Sequence, residues 1–319
     1  MVYMAFGDDF DERLLERAGS RSLGWNLLLL LIVLVAAASV VAGLWWLPRR
    51  SAPPTAAETP VAVETPPVET GAAGQPAGDP VRDQWRSLQA ELPSMDRLEI
   101  RQRAHLLLEQ ATDPGLIAAL QDLVGEINRD LVFTPAAMPE KIDYVVQPGD
   151  ALGKIARRHD TTVELIQRGN QLRGDLIRPG DRLRVFNVPF SVVLDKGRNE
   201  LLVFAQDSFF KRYRVGTGKH GTTPAGIFVI GDKIVEPPWW RPDGKVVPFG
   251  DEENVLGTRW MSLTPVEGTD PVRGYGIHGT WEPETIGHQA SAGCVRLLND
   301  DVEELYALLP VGTRVVIRE

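Results

Sequence analysis

The sequence predicts a multidomain chain in which a mainly β C-terminal domain follows a small α+β module, a helical segment and one transmembrane helix. Three observations carry this. An uncharged apolar run lies near the N-terminus, a proline-rich stretch without apolar periodicity follows, and the apolar spacing then changes from helical to strand-like. A length of 319 residues suits two or three domains, and 43% hydrophobic content is enough for folded cores. The formal charge of −9 and the pI near 5.2 argue against nucleic acid as a partner, because phosphate binding needs a basic face. The single cysteine, Cys294, excludes an intrachain disulfide.

Residues 1–24 are polar and of mixed charge, with Asp8, Asp9, Asp11, Glu12 and Glu16 set against Arg13, Arg17 and Arg21. They read as a short cytoplasmic tail. Residues 25–47, from Trp25 to Leu47, form 23 uncharged positions, about 35 Å as a helix and enough to cross a bilayer core of about 30 Å. Trp25, Trp45 and Trp46 mark its ends, where aromatic belts lie. A cleavable signal peptide cut after Ala42 is the competing reading, although its apolar region would be shorter and its flank more basic. Arg49 and Arg50 follow the span directly, so charge alone does not orient it.

Residues 48–80 are a linker rich in Pro, Ala, Thr and Glu, unable to bury a core and extended to at most about 90 Å. Residues 81–139 are a helical segment. Leu106 to Leu108, Leu116, Ile117, Leu120, Leu123, Val124 and Ile127 recur at steps of three and four, and breaks fall near Pro93-Ser94 and at Thr112-Asp113-Pro114-Gly115. Thr112 or Asp113 would cap the helix that follows. Two or three helices result, serving as a spacer, a partner-docking bundle or a plain packing module. In residues 143–187 two strand-like runs, Tyr144–Gln147 and Arg182–Phe186, bracket two short helical patterns. Asp150 would cap the first helix after the Pro148-Gly149 turn, and Thr161 or Thr162 the second.

Residues 190–319 are mostly strand-like, with a hairpin around Lys196-Gly197-Arg198-Asn199 and further strands at Phe209–Val215, Gly226–Asp232, Arg259–Leu263 and Thr313–Ile317. Asn299–Leu309 is the one clear helix, capped by Asn299 or Asp300. The expected architecture is a β-rich sandwich or barrel with the cysteine loop over one face. Trp239, Trp240 and Trp281 could wall a cleft, although apolar packing accounts for each taken alone.

The chemistry gathers in the stretch from Ile277 to Leu297. Cys294 follows His278 by sixteen positions (294 − 278). A thiol attacks a carbonyl as its thiolate, so it needs a base, for which His278 is the candidate, and donors for the oxyanion that forms. Gly293 leaves room for a substrate and permits a backbone geometry that aims amide N–H groups at developing charge. A zinc site from His278, His288 and Cys294 is chemically conceivable but lacks a fourth ligand and a CxxC pair. A papain-like protease places its histidine after the cysteine, opposite to the order here. The chain calls for no cofactor and no metal.

His278-Gly279-Thr280 followed by Ser291-Ala292-Gly293-Cys294-Val295-Arg296 resembles the YkuD-type L,D-transpeptidases of bacterial cell walls. Val215-Gly216-Thr217-Gly218, Thr223-Pro224-Ala225-Gly226 and Leu256-Gly257-Thr258-Arg259-Trp260 are similar to that family's other segments. The resemblance implies Cys294 as nucleophile, His278 as base with its tautomer held by the Gly279 carbonyl, and Ser291, Gly293 and Arg296 in oxyanion binding and substrate orientation. Family members carry a histidine where this chain has Ala292. Residues 143–187 resemble a LysM module, a βααβ fold that binds N-acetylglucosamine-containing glycans. The resemblance places a groove between Gly149, Asp150, Ala151 and Leu152 on one loop and Ile177, Arg178 and Pro179 on the other.

Together these resemblances imply an enzyme that forms 3→3 cross-links through a cysteine thioester with release of D-alanine. Its partners would be peptidoglycan stem peptides and glycan strands. It would be single-pass in the bacterial inner membrane, with the catalytic domain on the periplasmic side. An L,D-carboxypeptidase that trims stems, or a non-catalytic membrane-to-wall tether, fits the same residues.

Overall fold

The computed structural model describes residues 79–266 and 268–319, which belong to one compact unit. The tail of residues 1–24, the apolar span of residues 25–47 and all but the end of the linker lie outside the described residues. Among the described residues no helix is long and apolar enough to cross a membrane.

Three helices open the described chain: α1 (Pro80–Glu91), α2 (Arg97–Gln110) and α3 (Pro114–Val132). Each starts at an aspartate whose carboxylate accepts a first-turn N–H: Asp79 from Val81, Asp96 from Leu98 and Asp113 from Leu116. Pro80 and Pro114 occupy the first helical position, where a missing N–H costs nothing. The buried stripe of α3, Leu116, Leu120, Val124, Ile127 and Leu131, joins one hydrophobic core with the sheet described below. Of the roles left open by sequence, packing is the one the structure favours.

The βααβ module follows as β1 (Lys141–Val145), α4 (Leu152–Arg158), α5 (Val163–Gly169) and β2 (Arg182–Phe186), with β1 and β2 antiparallel. Val146, Leu152, Ile155, Ala156, Ile166, Leu183 and Val185 form its own small core. Thr162 caps α5 by accepting the Leu165 N–H, and its hydroxyl donates to the Ala307 carbonyl in the next domain. Asp150 does not cap α4. The turn through Gly149 (φ 84°) folds its carboxylate back onto the Gln147 N–H at 2.9 Å and the Tyr144 hydroxyl at 2.6 Å, a local side-chain bond that competes with capping.

The C-terminal domain contains β3 (Phe190–Asp195), β4 (Glu200–Ala205), β5 (Ser208–Arg214), β6 (Thr217–Gly218), β7 (Gly226–Val235), β8 (Trp239–Trp240) and β9 (Val246–Val247). After them come β10 (Arg259–Pro265), β11 (Gly276–His278), β12 (Gln289–Ser291), β13 (Val295–Arg296), α6 (Asn299–Leu308) and β14 (Arg314–Arg318). Eight strands join one mixed sheet in the order β13-β11-β10-β7-β14-β3-β4-β5, with ribbons β6–β12 and β8–β9 beside it. The mainly β character is as expected, carried by one large sheet rather than two stacked ones. Strand β5 is an edge that α3 covers: the fully buried Asn128 amide donates to the Phe210 carbonyl at 2.8 Å, and Asp122 pairs with Arg212 at 2.8 Å. The opposite edge, β13, carries the cysteine loop.

Neither Asn299 nor Asp300 caps α6, whose N-cap is Leu298. Asn299 is drawn away because its Oδ1 accepts the Thr258 N–H at 3.1 Å.

Candidate active site

Strands β11 and β13 run parallel, with Ile277 opposite Val295 and His278 opposite Arg296. A parallel pair needs a crossover of a dozen or more residues. Residues 279–294 supply it, so the sixteen-residue spacing between His278 and Cys294 has a topological cause. Alternate residues of a strand share a face. Ile277 and Val295, each 1% exposed, point into the core. His278 and Arg296 therefore share the other face, and Cys294, two residues before Arg296, starts on the same side.

Four hydrogen bonds set the cysteine loop. Ser291 Oγ donates to the Cys294 carbonyl at 2.6 Å and accepts the Gly293 N–H at 3.0 Å. Thr223 Oγ1 donates to the Gly293 carbonyl at 2.8 Å and accepts the Gly218 N–H at 2.8 Å. Gly293 lies at φ 140°, where a Cβ would come within 2.5 Å of the Tyr275 ring, so both backbone and space require glycine there. One expectation changes: the Gly293 N–H, anticipated as an oxyanion donor, is already engaged by Ser291. The Gly279 N–H is likewise taken, by the Arg259 carbonyl at 3.2 Å.

His278 is 3% exposed. Its Nδ1 lies 2.6 Å from the Gly279 carbonyl; a carbonyl only accepts, so Nδ1 carries the proton and Nε2 is left as the basic nitrogen. The Trp260 ring stacks on the imidazole at 5.8 Å between centroids. Burial lowers the pKa of His278 to about 4, the nearby Arg296 charge acts in the same direction, and the Gly279 and Leu256 carbonyls oppose both.

Cys294 is half-buried, and its thiol points to the Gly274 carbonyl at 3.7 Å. No hydrogen bond joins it to His278 in this state. Burial raises the thiol pKa, against the Gly276 N–H and the Arg296 charge, which lower it. Burial disfavours the charged form of each group, raising the thiol pKa and lowering that of the imidazole to about 4, so both shifts oppose a standing thiolate–imidazolium pair. The resting pair is a neutral thiol and a neutral imidazole.

Arg296 Nη1 pairs with Glu282 at 2.7 Å, and its backbone N–H and carbonyl both bond to Gly216 at 2.8 Å. Trp240 and Trp281 are 63% and 53% exposed, so packing does not account for them; Phe249 lies beside Trp281 at 6.3 Å. His288 sits apart, its carbonyl on the Thr217 N–H. Among the described residues no group of three or more His, Cys, Asp or Glu side chains is placed to hold a metal ion. Gly274, Tyr275, Gly276 and Glu282 were missed as site residues, and their only signal was nearness in sequence to the His278 motif; Thr223 had been noted only as part of a family-like segment.

In the βααβ module, Gly149, Ala151, Arg178 and Pro179 are exposed and Ile177 is half-buried. The two loops meet where Gly180 donates to Val146 and Val146 to Asp181, both at 2.9 Å. Leu152, expected in the groove, is 3% exposed in the module core. Asp150 is held by Tyr144, Gln147 and Arg158. Both residues belong to the frame of the module.

Residues 189–317 match the model of the YkuD family, described as an L,D-transpeptidase catalytic domain, and residues 144–186 match the LysM domain. Among named relatives, "Putative L,D-transpeptidase YqjB" of Bacillus subtilis is 41% identical over 40% of this chain and 70% of that protein. The YkuD protein of Bacillus licheniformis is 34% identical over 54% of this chain and 97% of that protein. A solved L,D-transpeptidase from Mycobacterium smegmatis is 20% identical over 44% of this chain and 64% of that one, with a TM-score of 0.34. On the coverage and identity of the Bacillus relatives, this chain belongs to the YkuD family of L,D-transpeptidases.

Proposed function

We propose that this chain forms 3→3 cross-links in peptidoglycan through a thioester on Cys294. The observation that supports the reading is the β11–β13 pairing, which sets His278 opposite Arg296, two residues after Cys294. Cys294 Sγ attacks the carbonyl of the L-centre that precedes a terminal D-alanine, and His278 Nε2 takes the thiol proton as the C–S bond forms. The C–N bond breaks, His278 returns the proton to the departing amine, and D-alanine leaves. The side-chain amine of a second stem then attacks the thioester, a C–N bond forms, the C–S bond breaks and the thiol is restored. The Cys294 and Gly276 N–H groups are the candidate oxyanion donors, since that of Gly293 is engaged. Arg296, braced by Glu282, orients the loop and the substrate.

The LysM loops hold glycan through Gly149, Ala151, Ile177, Arg178 and Pro179. The apolar span of residues 25–47 anchors the chain in the bacterial inner membrane with this domain outside, and the tether raises the local concentration of wall for a single modest binding module.

The test is incubation of the full chain and of Cys294→Ala with disaccharide-tetrapeptide, followed by mass spectrometry. A cross-linked dimer lacking one D-alanine, formed only with Cys294, is the expected result. Tripeptide without dimer would assign an L,D-carboxypeptidase. Absence of both, with retained co-sedimentation on purified sacculi, would leave a wall-binding tether.

A further inference from the structure

Asn254 is 1% exposed, and every polar atom of its side chain is engaged. Its Nδ2 faces the carbonyls of Pro237 at 3.0 Å, Val247 at 3.3 Å and Pro248 at 3.2 Å, so it closes the base of the β8–β9 hairpin that carries Trp239 and Trp240. Its Oδ1 accepts the Leu256 N–H at 2.9 Å. The segment that begins at Leu256 is pressed on the backbone beside the catalytic histidine. Gly257 (φ 63°) packs so closely that a Cβ there would lie 2.5 Å from the Gly279 carbonyl carbon. Thr258 lies on the other side of the same contact, its N–H held by Asn299. Gly279 supplies the carbonyl that fixes the His278 proton on Nδ1. One buried amide thus links the tryptophan hairpin to the backbone that holds the base.

We propose that Asn254 is a positioning residue for the reaction, coupling the seating of the tryptophan hairpin to the backbone that orients His278. The proposal rests on the reading of His278 as the base. A buried polar group of this kind is replaceable only by one that both donates and accepts, because each lost partner strands a buried carbonyl or N–H. Protonated aspartic acid meets that requirement and the aspartate anion does not. An anion facing three carbonyls is also disfavoured, which keeps the acid form populated at mildly acidic pH.

The experiment compares wild type, Asn254→Ala and Asn254→Asp in the cross-linking assay from pH 5 to pH 8, with circular dichroism recorded in the same buffers. At pH 7 Asn254→Ala is expected to lose on the order of 10- to 100-fold in kcat, with KM within about twofold, as for a displaced catalytic group. Asn254→Asp is expected to approach the wild-type rate at pH 5 and to lose activity as the carboxyl ionises, while wild type stays level. If Asn254→Ala fails to fold, the acid rescue of Asn254→Asp decides alone. Wild-type rates in both variants across the range would overturn the proposal. So would an activity loss in Asn254→Asp that tracks the unfolded fraction seen by circular dichroism. His278→Gln in the same assay separates the two readings: a wild-type rate there removes His278 as the base, whatever Asn254 does.

Discussion

Lowering the pH from 7 to 4 tests whether His278 is buried as a neutral ring, and the expected effect follows from its surroundings. An unfolded histidine titrates near 6.5 and the folded His278 near 4. The folded value lies below the unfolded one, so within this window the unfolded chain binds more protons. Stability is therefore complete above about pH 6.5 and is lost as the pH falls towards 4. A gap of about 2.5 units at about 1.4 kcal/mol per unit amounts to roughly 3 kcal/mol, a large share of the roughly 5–15 kcal/mol that holds a domain together. The assay is urea unfolding of wild type and His278→Gln, followed by tryptophan fluorescence at steps between pH 7 and pH 4. Glutamine has no charge to acquire, so its packing cost is constant across the series. His105, whose pKa burial also lowers, titrates in both proteins and cancels in the difference. The stability advantage of wild type over His278→Gln is expected to shrink by about 3 kcal/mol across the window. Two curves that run parallel from pH 7 to pH 4 would refute the argument.

Alkylation of Cys294 by iodoacetamide should be slow at neutral pH and climb continuously through pH 9, because burial keeps the thiol protonated. A rate plateau between pH 5 and pH 8 would reveal a standing thiolate–imidazolium pair instead. Asn128→Ala should lower the stability of the described unit by about 2–4 kcal/mol in urea, since it strands the Phe210 carbonyl and removes an acceptor from Arg101. A loss below about 0.5 kcal/mol would mean that α3 and β5 are held together by apolar contact alone.

Cys294 and His278 stood out in the sequence as candidates because the chemistry restricts residue type, and the structure accounts for their spacing by one crossover between parallel strands. The partners of that pair did not stand out. Strands β11 and β13 are three and two residues long, too short for any period to show, so nothing in the sequence announced that they are parallel or that Gly276 stands beside the cysteine. The helical segment was readable from its three-four spacing and from the Asp113-Pro114 start of α3, yet the apolar stripe gives no address for the surface it covers. Asp150 and Asn299 were misplaced for one reason. A short polar side chain near a helix start has several backbone partners within reach, and a local turn chose Gln147 for one while a tertiary contact chose Thr258 for the other. Gly293 was recognised as special, and the structure adds that its N–H is engaged within the loop by Ser291.

A neutral resting pair bears on how one imidazole could serve both halves of the proposed reaction. A ring with a pKa near 4 is a weak base towards a thiol, so proton transfer has to accompany carbon–sulfur bond formation rather than precede it. Once protonated, the same ring is a strong acid beside the leaving amine, which favours collapse towards the thioester. In the second half an amine acceptor brings its own nucleophilicity and needs the ring only to collect a proton late. Water is a poorer nucleophile and needs the base early. In the proposed reaction, the burial that depresses His278 would weight the thioester towards amines and against hydrolysis. The Trp260 ring stacked on the imidazole is part of that burial, so any change that wets His278 should raise its pKa and shift the product from dimer towards tripeptide.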